Sequence, residues 1–377
     1  MNGNGEQEEN MNNVNYHFSG EESINSPALI YYEDIIVENI KKSISMAGSA
    51  ERMWPHVKTY KTAAVIRLLL DNGVKRFKCA TIAEAEMCAQ CGAPDILVSY
   101  PLVGPYIDRF IQLKKFYTSL RFWAIGDDLN QLSLLGSAAA AAGFSIPFLA
   151  DVNTGMNRTG VAFEALGDFC MKAAKIPGLE LKGLHCYDGH LGMSDSGERK
   201  KKVGMETEKL TAVIKEIESS GQKLPVLVMG GTPTFPFHIS NKNAFLSPGT
   251  IFIQDHGYES NLKDLDFTPG AAILTRVISR PQKDLFTLDL GYKGISPDKP
   301  ERGVIADLAG AEAVGQSEEH WVFRANESDC PPVGTILYVV PSHICPTSAL
   351  YPGVHVVRDK KLVNYWEINA RNRKILI

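Results

Sequence analysis

Lys58 is the residue whose setting first suggests chemistry. It stands in Met53-Trp54-Pro55-His56-Val57-Lys58-Thr59-Tyr60-Lys61-Thr62, after a short apolar run and ahead of a helical pattern that begins at Ala63. A lysine at the end of a barrel strand can point into the barrel mouth. His56 and Lys61 beside it are potential cations, and nearby positive charge lowers a lysine's pKa. An amine kept partly unprotonated can attack an aldehyde and form a Schiff base. The plainer alternative is an ordinary basic loop.

Other residues offer matching chemistry. Gly230-Gly231-Thr232 presents backbone N–H groups with no Cβ in the way, plus a hydroxyl, which suits a phosphate. Gly249-Thr250 could form a second phosphate wall; both stretches could equally be tight turns. Arg158 follows a glycine-rich turn and could hold an anionic oxygen, or pair with a surface carboxylate. Tyr187 could stack on an aromatic cofactor and His185 could hydrogen-bond it; either could instead be a satisfied core residue. His190 could be a general base or a loop residue with no role.

Far along the chain, His343 and Cys345 stand two apart in Pro341-Ser342-His343-Ile344-Cys345-Pro346-Thr347. In a strand that spacing puts both side chains on one face. Imidazole and thiolate together suit Zn²⁺. Two ligands do not close a structural site, so water or substrate would complete the shell, as a catalytic metal requires. A chance pair is the alternative.

Elements must position these residues. Strand-like runs fall at Met53–Val57, Arg76–Ala80, Asp95–Tyr100, Leu120–Ile125, Pro147–Asn153, Leu179–Tyr187, Val226–Gly230 and Phe245–Ile253, with helical patterns between most of them. Eight strands in βα alternation predict an α/β fold, a TIM-like (β/α)8 barrel, with an open doubly wound sheet as the runner-up. Lys58, Arg158, His185 to His190, Gly230 and Gly249 then fall at or after C-terminal strand ends, where such barrels collect their chemistry. After Asp266 the runs Ala272–Ser279, Leu285–Leu290, Trp321–Arg324, Thr335–Val340, His355–Arg358 and Lys361–Glu367 lack long helices between them. They predict a second, mainly antiparallel β-domain. The expected division is a disordered leader over 1–26, a barrel over 36–265, and a β-domain over 27–35 and 266–377.

With 377 residues, 44% of them hydrophobic, the chain can bury two cores. A net charge of -4 gives no electrostatic footprint for nucleic acid or an anionic membrane. Arg199-Lys200-Lys201-Lys202 reads as a solvated helix face. No apolar run reaches spanning length, and the leader lacks the apolar core of a signal peptide. Seven scattered cysteines suggest reduced thiols and a cytoplasmic location.

Taken together, these motifs resemble the two-domain pyridoxal 5'-phosphate (PLP) enzymes of the alanine racemase fold, fold type III. Within that fold they resemble the branch of D-threonine aldolases and eukaryotic-type D-serine dehydratases. Residues 55–62 look like that branch's PHVKTHKT, with Tyr60 where the second histidine stands, and Lys58 takes the Schiff-base position. Thr154-Gly155-Met156-Asn157-Arg158-Thr159-Gly160 is similar to the racemases' TGMGRLG, whose arginine approaches the cofactor's phenolic oxygen. Gly230-Gly231-Thr232-Pro233-Thr234 resembles GSTPS and Pro248-Gly249-Thr250 resembles PGN, both phosphate loops. His343-Ile344-Cys345 resembles the HxC metal pair of the dehydratases; aldolases tend to carry HxD. Against that, Tyr187-Asp188-Gly189-His190 resembles the aldolase loop, with His190 at its general-base position, where dehydratases tend to have HCGN. His185 replaces a tyrosine that dehydratases place near the pyridine nitrogen.

The resemblance implies PLP held by Lys58, Arg158, His185, Tyr187, Gly230, Gly231, Thr232, Gly249 and Thr250, with Lys58 and His190 catalytic. It implies a divalent metal, Zn or Mn, at His343 and Cys345. The substrate would be a D-configured 3-hydroxy amino acid and the assembly a homodimer. The first reaction is D-threonine to glycine plus acetaldehyde; the alternative is D-serine to pyruvate plus ammonia. A racemase would want a tyrosine from the partner's β-domain as second base, and none can be placed. A non-catalytic PLP-binding protein of the single-barrel kind would lack the β-domain.

Overall fold

The computed structural model describes residues 14–377. The chain divides into two compact units. One comprises Val37–Phe252, Asn261–Leu265 and Glu367–Ile377; the other comprises Met1–Ile36, described from residue 14, with Ile253–Ser260 and Asp266–Trp366. Strands are numbered along the chain. β1 is Ala28–Tyr32; then come β2 (Arg76–Cys79), β3 (Asp95–Val98), β4 (Arg121–Gly126), β5 (Ile146–Asp151), β6 (Leu179–Cys186), β7 (Val226–Met229) and β8 (Ala244–Leu246). They are followed by β9 (Ala271–Gln282), β10 (Leu285–Leu288), β11 (Gly303–Ile305), β12 (Glu312–Gln316), β13 (Trp321–Arg324), β14 (Ile336–Pro341), β15 (Gly353–Arg358) and β16 (Lys361–Glu367).

In the first unit β2 to β8 form a parallel sheet in sequence order. Its strands are mostly buried, as in β3, where every position is, because helices cover one side and packed side chains the other. Those helices start where the sequence supplies caps: Thr62, Thr81, Asp128 and Asp195 each accept a first-turn backbone N–H. The sheet is the curled, TIM-like one expected, with one correction. Met53–Val57 is not a regular strand. Pro55 has no N–H, so a ladder cannot run through it. The segment instead makes two isolated parallel bridges, Met53 to Leu246 and His56 to Lys78. Trp54 N–H donates to Leu246 O at 2.8 Å and Lys78 N–H to Pro55 O at 2.7 Å. Residues 53–56 therefore bond to both edge strands, β8 and β2, and stand where an eighth strand would. The last expected strand, Phe245–Ile253, also stops early: β8 ends at Leu246 and Thr250–Phe252 is a 3₁₀ turn.

Trp54 packs with Leu97, Trp123, Ile125, Leu149 and Val228. Its ring meets Trp123 and Phe245 edge-on, each at 5.4 Å, and its indole N–H donates to Phe77 O at 3.1 Å. The basic run at Arg199 differs from its expected solvated face. Arg199 is fully buried and donates to the carboxylate of Asp264 and to Met193 O; Lys200 to Lys202 are exposed.

In the other unit the strand order is β12-β13-β10-β9-β1-β15-β16, with β14 pairing β9 and β11. β1 pairs β15 in parallel, while β1 with β9, β9 with β10 and β14, β10 and β12 with β13, and β11 with β14 are antiparallel, so the sheet is mainly antiparallel as expected. The short β11 and the exposed β12 had no sequence signal, since neither carries an apolar alternation. Residues 14–26, expected to belong to a leader, pack into this unit's core: Tyr16, Phe18 and Ile24 join Ile30, Tyr32, Leu274 and Tyr338. The rest of the leader, 1–13, lies outside the described residues. His343 and Cys345 do not share a strand. β14 ends at Pro341, His343 caps a short helix, and that helix is Ile344–Ser348; Pro346 is tolerated in its first turn, where its missing N–H is not needed. Among the described residues no helix is long and apolar enough to cross a membrane.

Candidate functional site

Lys58 lies in a one-turn 3₁₀ segment, Val57–Thr59, directly after the bridging residues. His56 caps it, Nδ1 accepting from Lys58 N–H at 3.3 Å. The cations expected beside Lys58 are not His56 and Lys61. Burial, reinforced by the charges of Lys58 and Lys78, pushes His56 well below the usual histidine range, so it is neutral. Lys61, in a left-handed conformation at φ 48, pairs with the buried carboxylate of Glu84.

The positive charge near Lys58 comes from elsewhere. Three cations gather on the Tyr187 ring: Arg158 Cζ at 5.0 Å from its centroid, Lys78 Nζ at 5.4 Å and Lys58 Nζ at 5.7 Å. Lys78 was not anticipated. It lies on β2 and is buried, and its register partner on β3 is Leu97, a member of the Trp54 cluster. Its Nζ is 3.5 Å from His185 Nε2, and His185 Nδ1 is 2.7 Å from Asp151 Oδ1. Burial works against the charge on Asp151, but the hydrogen bonds and charges of His185, Thr159 and Arg158 together outweigh it and hold the carboxyl below its usual range. Burial, together with the Lys78 charge, lowers His185. A neutral imidazole donating Nδ1–H to Asp151 Oδ1 and accepting from Lys78 at Nε2 satisfies both of its ring nitrogens, while Asp151 Oδ2 is buried without a hydrogen-bond partner among the described residues. Burial and the Lys58 charge bring Lys78 down to about 7. The sequence did hold a signal: Arg76-Phe77-Lys78-Cys79 puts a charge in the middle of a strand that should be apolar on both faces.

The two glycine loops also meet. Thr232 Oγ1 accepts from Gly249 N–H at 3.3 Å and Thr250 N–H at 3.1 Å, so two amides already converge on one oxygen. A Cβ on Gly249 would stand 2.9 Å from His56 O, and one on Gly231 would stand 2.9 Å from Tyr187 Cε2. Gly230 takes φ 79, a conformation that favours glycine. The turn is braced from beneath. Thr234 Oγ1 donates to Asp188 Oδ1 at 2.5 Å, His238 Nε2 lies 2.8 Å from Asp188 Oδ2, and Gly231 N–H donates to Thr234 Oγ1 at 2.9 Å. Thr154 Oγ1 donates to Tyr187 O at 2.7 Å, tying the Arg158 loop to the Tyr187 loop. His190 is exposed on that loop; its Nε2 would be 3.2 Å from a Cβ on Gly155.

An amine, a guanidinium, an aromatic face and converging amides bordered by obligate glycines are what PLP requires: an aldehyde anchor, a partner for an anionic oxygen, a ring support and a phosphate cradle. The residues present fit that cofactor.

In the other unit, His343 Nδ1 is 2.5 Å from Asp298 Oδ2. Burial opposes charge on this imidazole, but hydrogen bonds to Cys345 and Asp298 outweigh it and raise its pKa to about 9. Despite the helical turn, His343 and Cys345 are thus within hydrogen-bond reach. Asp255, buried, accepts from Ile344 N–H at 3.0 Å and fixes the start of that turn. Among the described residues no three or more His, Cys, Asp or Glu side chains are grouped to hold a metal. The chain offers two donors whose chemistry suits Zn or Mn, with a carboxylate on the imidazole's other side as metal-binding histidines commonly have.

The chain is similar to known proteins along most of its length. Residues 33–255 match the family described as alanine racemase, N-terminal domain, and residues 270–357 match a domain family named for serine dehydratase. The chain is 28% identical to the D-threonine aldolase of Arthrobacter sp over 323 residues, 84% of each chain. It is 28% identical to the 3-hydroxy-D-aspartate aldolase of Paracoccus denitrificans over 367 residues, 94% of each. The crystal structure of D-threonine aldolase from Filomicrobium marinum superposes with a TM-score of 0.87 at 27% identity, covering 93% of this chain and 96% of that one.

Proposed function

Because this chain belongs to the alanine racemase N-terminal domain family, among the fold type III PLP enzymes, we propose that it is a PLP- and metal-dependent lyase acting on D-3-hydroxy amino acids, of the D-threonine aldolase type. The observation that carries the reading is the gathering of Lys58, Arg158 and Tyr187 beside the two joined glycine loops. Two aldolases of D-3-hydroxy amino acids that align over most of this chain support it.

PLP supplies an electron sink for the negative charge left at the α-carbon when a bond to it breaks. The chain's own residues do the rest. Lys58 would anchor the cofactor and yield it to the substrate amine. Arg158 holds an anionic oxygen, and Tyr187 supports the ring. The Thr232 hydroxyl and the amides of Gly249 and Thr250 that meet on it, beside the Gly230-Gly231 turn, would hold the phosphate. His190 takes the proton of the 3-hydroxyl, directly or through water, so that the Cα–Cβ bond can part. His343 and Cys345 would hold a divalent Zn or Mn, whose charge would polarise that hydroxyl.

The D-serine dehydratase alternative keeps two supports, the His–Cys pair and the match of residues 270–357 to the domain family named for serine dehydratase. Product identification separates the two. The PLP-loaded protein, given D-threonine and D-serine in turn, is expected to release glycine and acetaldehyde from D-threonine and to leave D-serine largely intact. Pyruvate and ammonia from D-serine, with no acetaldehyde from D-threonine, would replace the aldolase by the dehydratase.

A further inference from the structure

Lys78 has no part in the function proposed above, yet it is buried and has no carboxylate partner among the described residues. Its one polar contact is the acceptor nitrogen of His185, which Asp151 locks in place. The charged groups that face it come from every element around it. They are Lys58 after the bridging segment, Arg158 on the loop after β5, Asp151 on β5 and Asp188 after β6; the neutral His56 and His185 complete the set. Asp188 is already engaged by Thr234 and His238, and Asp151 by His185. Lys78 therefore lies close to two other cations on one aromatic ring, and neither nearby carboxylate, Asp151 or Asp188, is in contact with it. Those carboxylates favour its charged form less than burial and the Lys58 charge oppose it, and an entering anion would add to them.

We propose that Lys78, held by His185 and Asp151, is a second amine of the cofactor site and takes up a proton when the anionic cofactor binds. The inference rests on the reading that this pocket takes PLP. The proton comes from solvent and bonds to the free electron pair of Nζ; no other bond changes. Before binding, burial and the Lys58 charge hold this amine near pH 7, so at pH 8 it is mostly neutral. An anion beside it favours the ammonium and raises that pKa. Affinity for the cofactor should then fall as pH rises above neutrality, because the proton must be supplied from an ever lower concentration.

The test is titration of the metal-replete apoprotein with PLP at pH 8, by calorimetry in two buffers of different ionisation enthalpy. Wild type should take up about 0.5 to 0.9 more protons per site than Lys78→Met, and the variant should bind about tenfold more weakly or worse. Proton changes from chemistry at Lys58 are common to both proteins and cancel in the difference. Lys78→Arg, which cannot lose its charge, should bind PLP more nearly as wild type does but without the extra uptake. If Lys78→Met does not fold, this second variant carries the comparison. Equal uptake by wild type and Lys78→Arg would overturn the proposal, since the proton would then belong to another group. A wild type that develops no visible absorption band with PLP would overturn the cofactor reading itself, and the proposal with it.

Discussion

Arg158 and Lys58 make separable contributions. Arg158 is exposed on its loop and touches the site through one guanidinium over the Tyr187 ring. Arg158→Leu removes a charge-assisted contact worth about 1.5–3 kcal/mol, so equilibrium dialysis should show PLP affinity roughly 10- to 100-fold weaker. Unchanged affinity and turnover would make Arg158 a surface residue. Lys58 is tested by reduction: borohydride treatment of the PLP-loaded protein should leave reduced cofactor on the peptide holding Lys58, and Lys58→Ala should lose colour and activity together. Label on Lys78 instead would move the anchor one strand over. Lys58 was legible because its neighbours form a contiguous motif. Lys78 was not, because its partners His185 and Asp151 are 107 and 73 residues away in sequence and meet it only through sheet register. The neutralisation of His56 was equally hidden, since burial decides it and spacing does not.

At the scale of elements, the glycine loops work because they touch other loops. Gly249 lies where any side chain would press on the carbonyl of His56, two residues before Lys58. Gly249→Ala must push the phosphate loop and the Lys58 segment apart, a strain of about 1–3 kcal/mol. PLP affinity should fall at least tenfold while far-UV circular dichroism stays that of wild type; an alanine variant that binds PLP normally would reduce the loop to a simple turn. The parallel strands β2 to β7 were legible from their apolar runs, and their ends lie within a few residues of those read from sequence, whereas β8 stops well short of its expected end. What the pattern could not show is that the segment at Pro55 closes the sheet without being a strand, since an apolar run looks the same whether or not its amides can pair. The His343–Cys345 pair was found by its spacing, but the wrong periodicity was assigned to it. Pro341 and Pro346 mark the end of β14 and the first turn of a helix, and a strand face was read instead.

At the scale of the molecule, the residues proposed to hold PLP belong to one unit and those proposed to hold a metal to the other. The division into an α/β unit and a mainly antiparallel one was visible in the sequence as a loss of helical pattern after Asp266. The packing of residues 14–26 was not, because Asn- and Glu-rich flanks mask three buried side chains, Tyr16, Phe18 and Ile24. Only turnover tests whether both donor sets serve one reaction. The PLP-loaded, metal-replete protein should be given D-threonine and L-threonine separately, before and after chelation with EDTA, while acetaldehyde, glycine and the visible band are followed. Acetaldehyde and glycine should appear in equal amounts from the D-isomer alone. They should cease on chelation while the band persists, and return with Zn²⁺ or Mn²⁺. Full-rate cleavage after the metal has been removed, or equal cleavage of the L-isomer, would contradict a metal-dependent lyase of D-3-hydroxy amino acids.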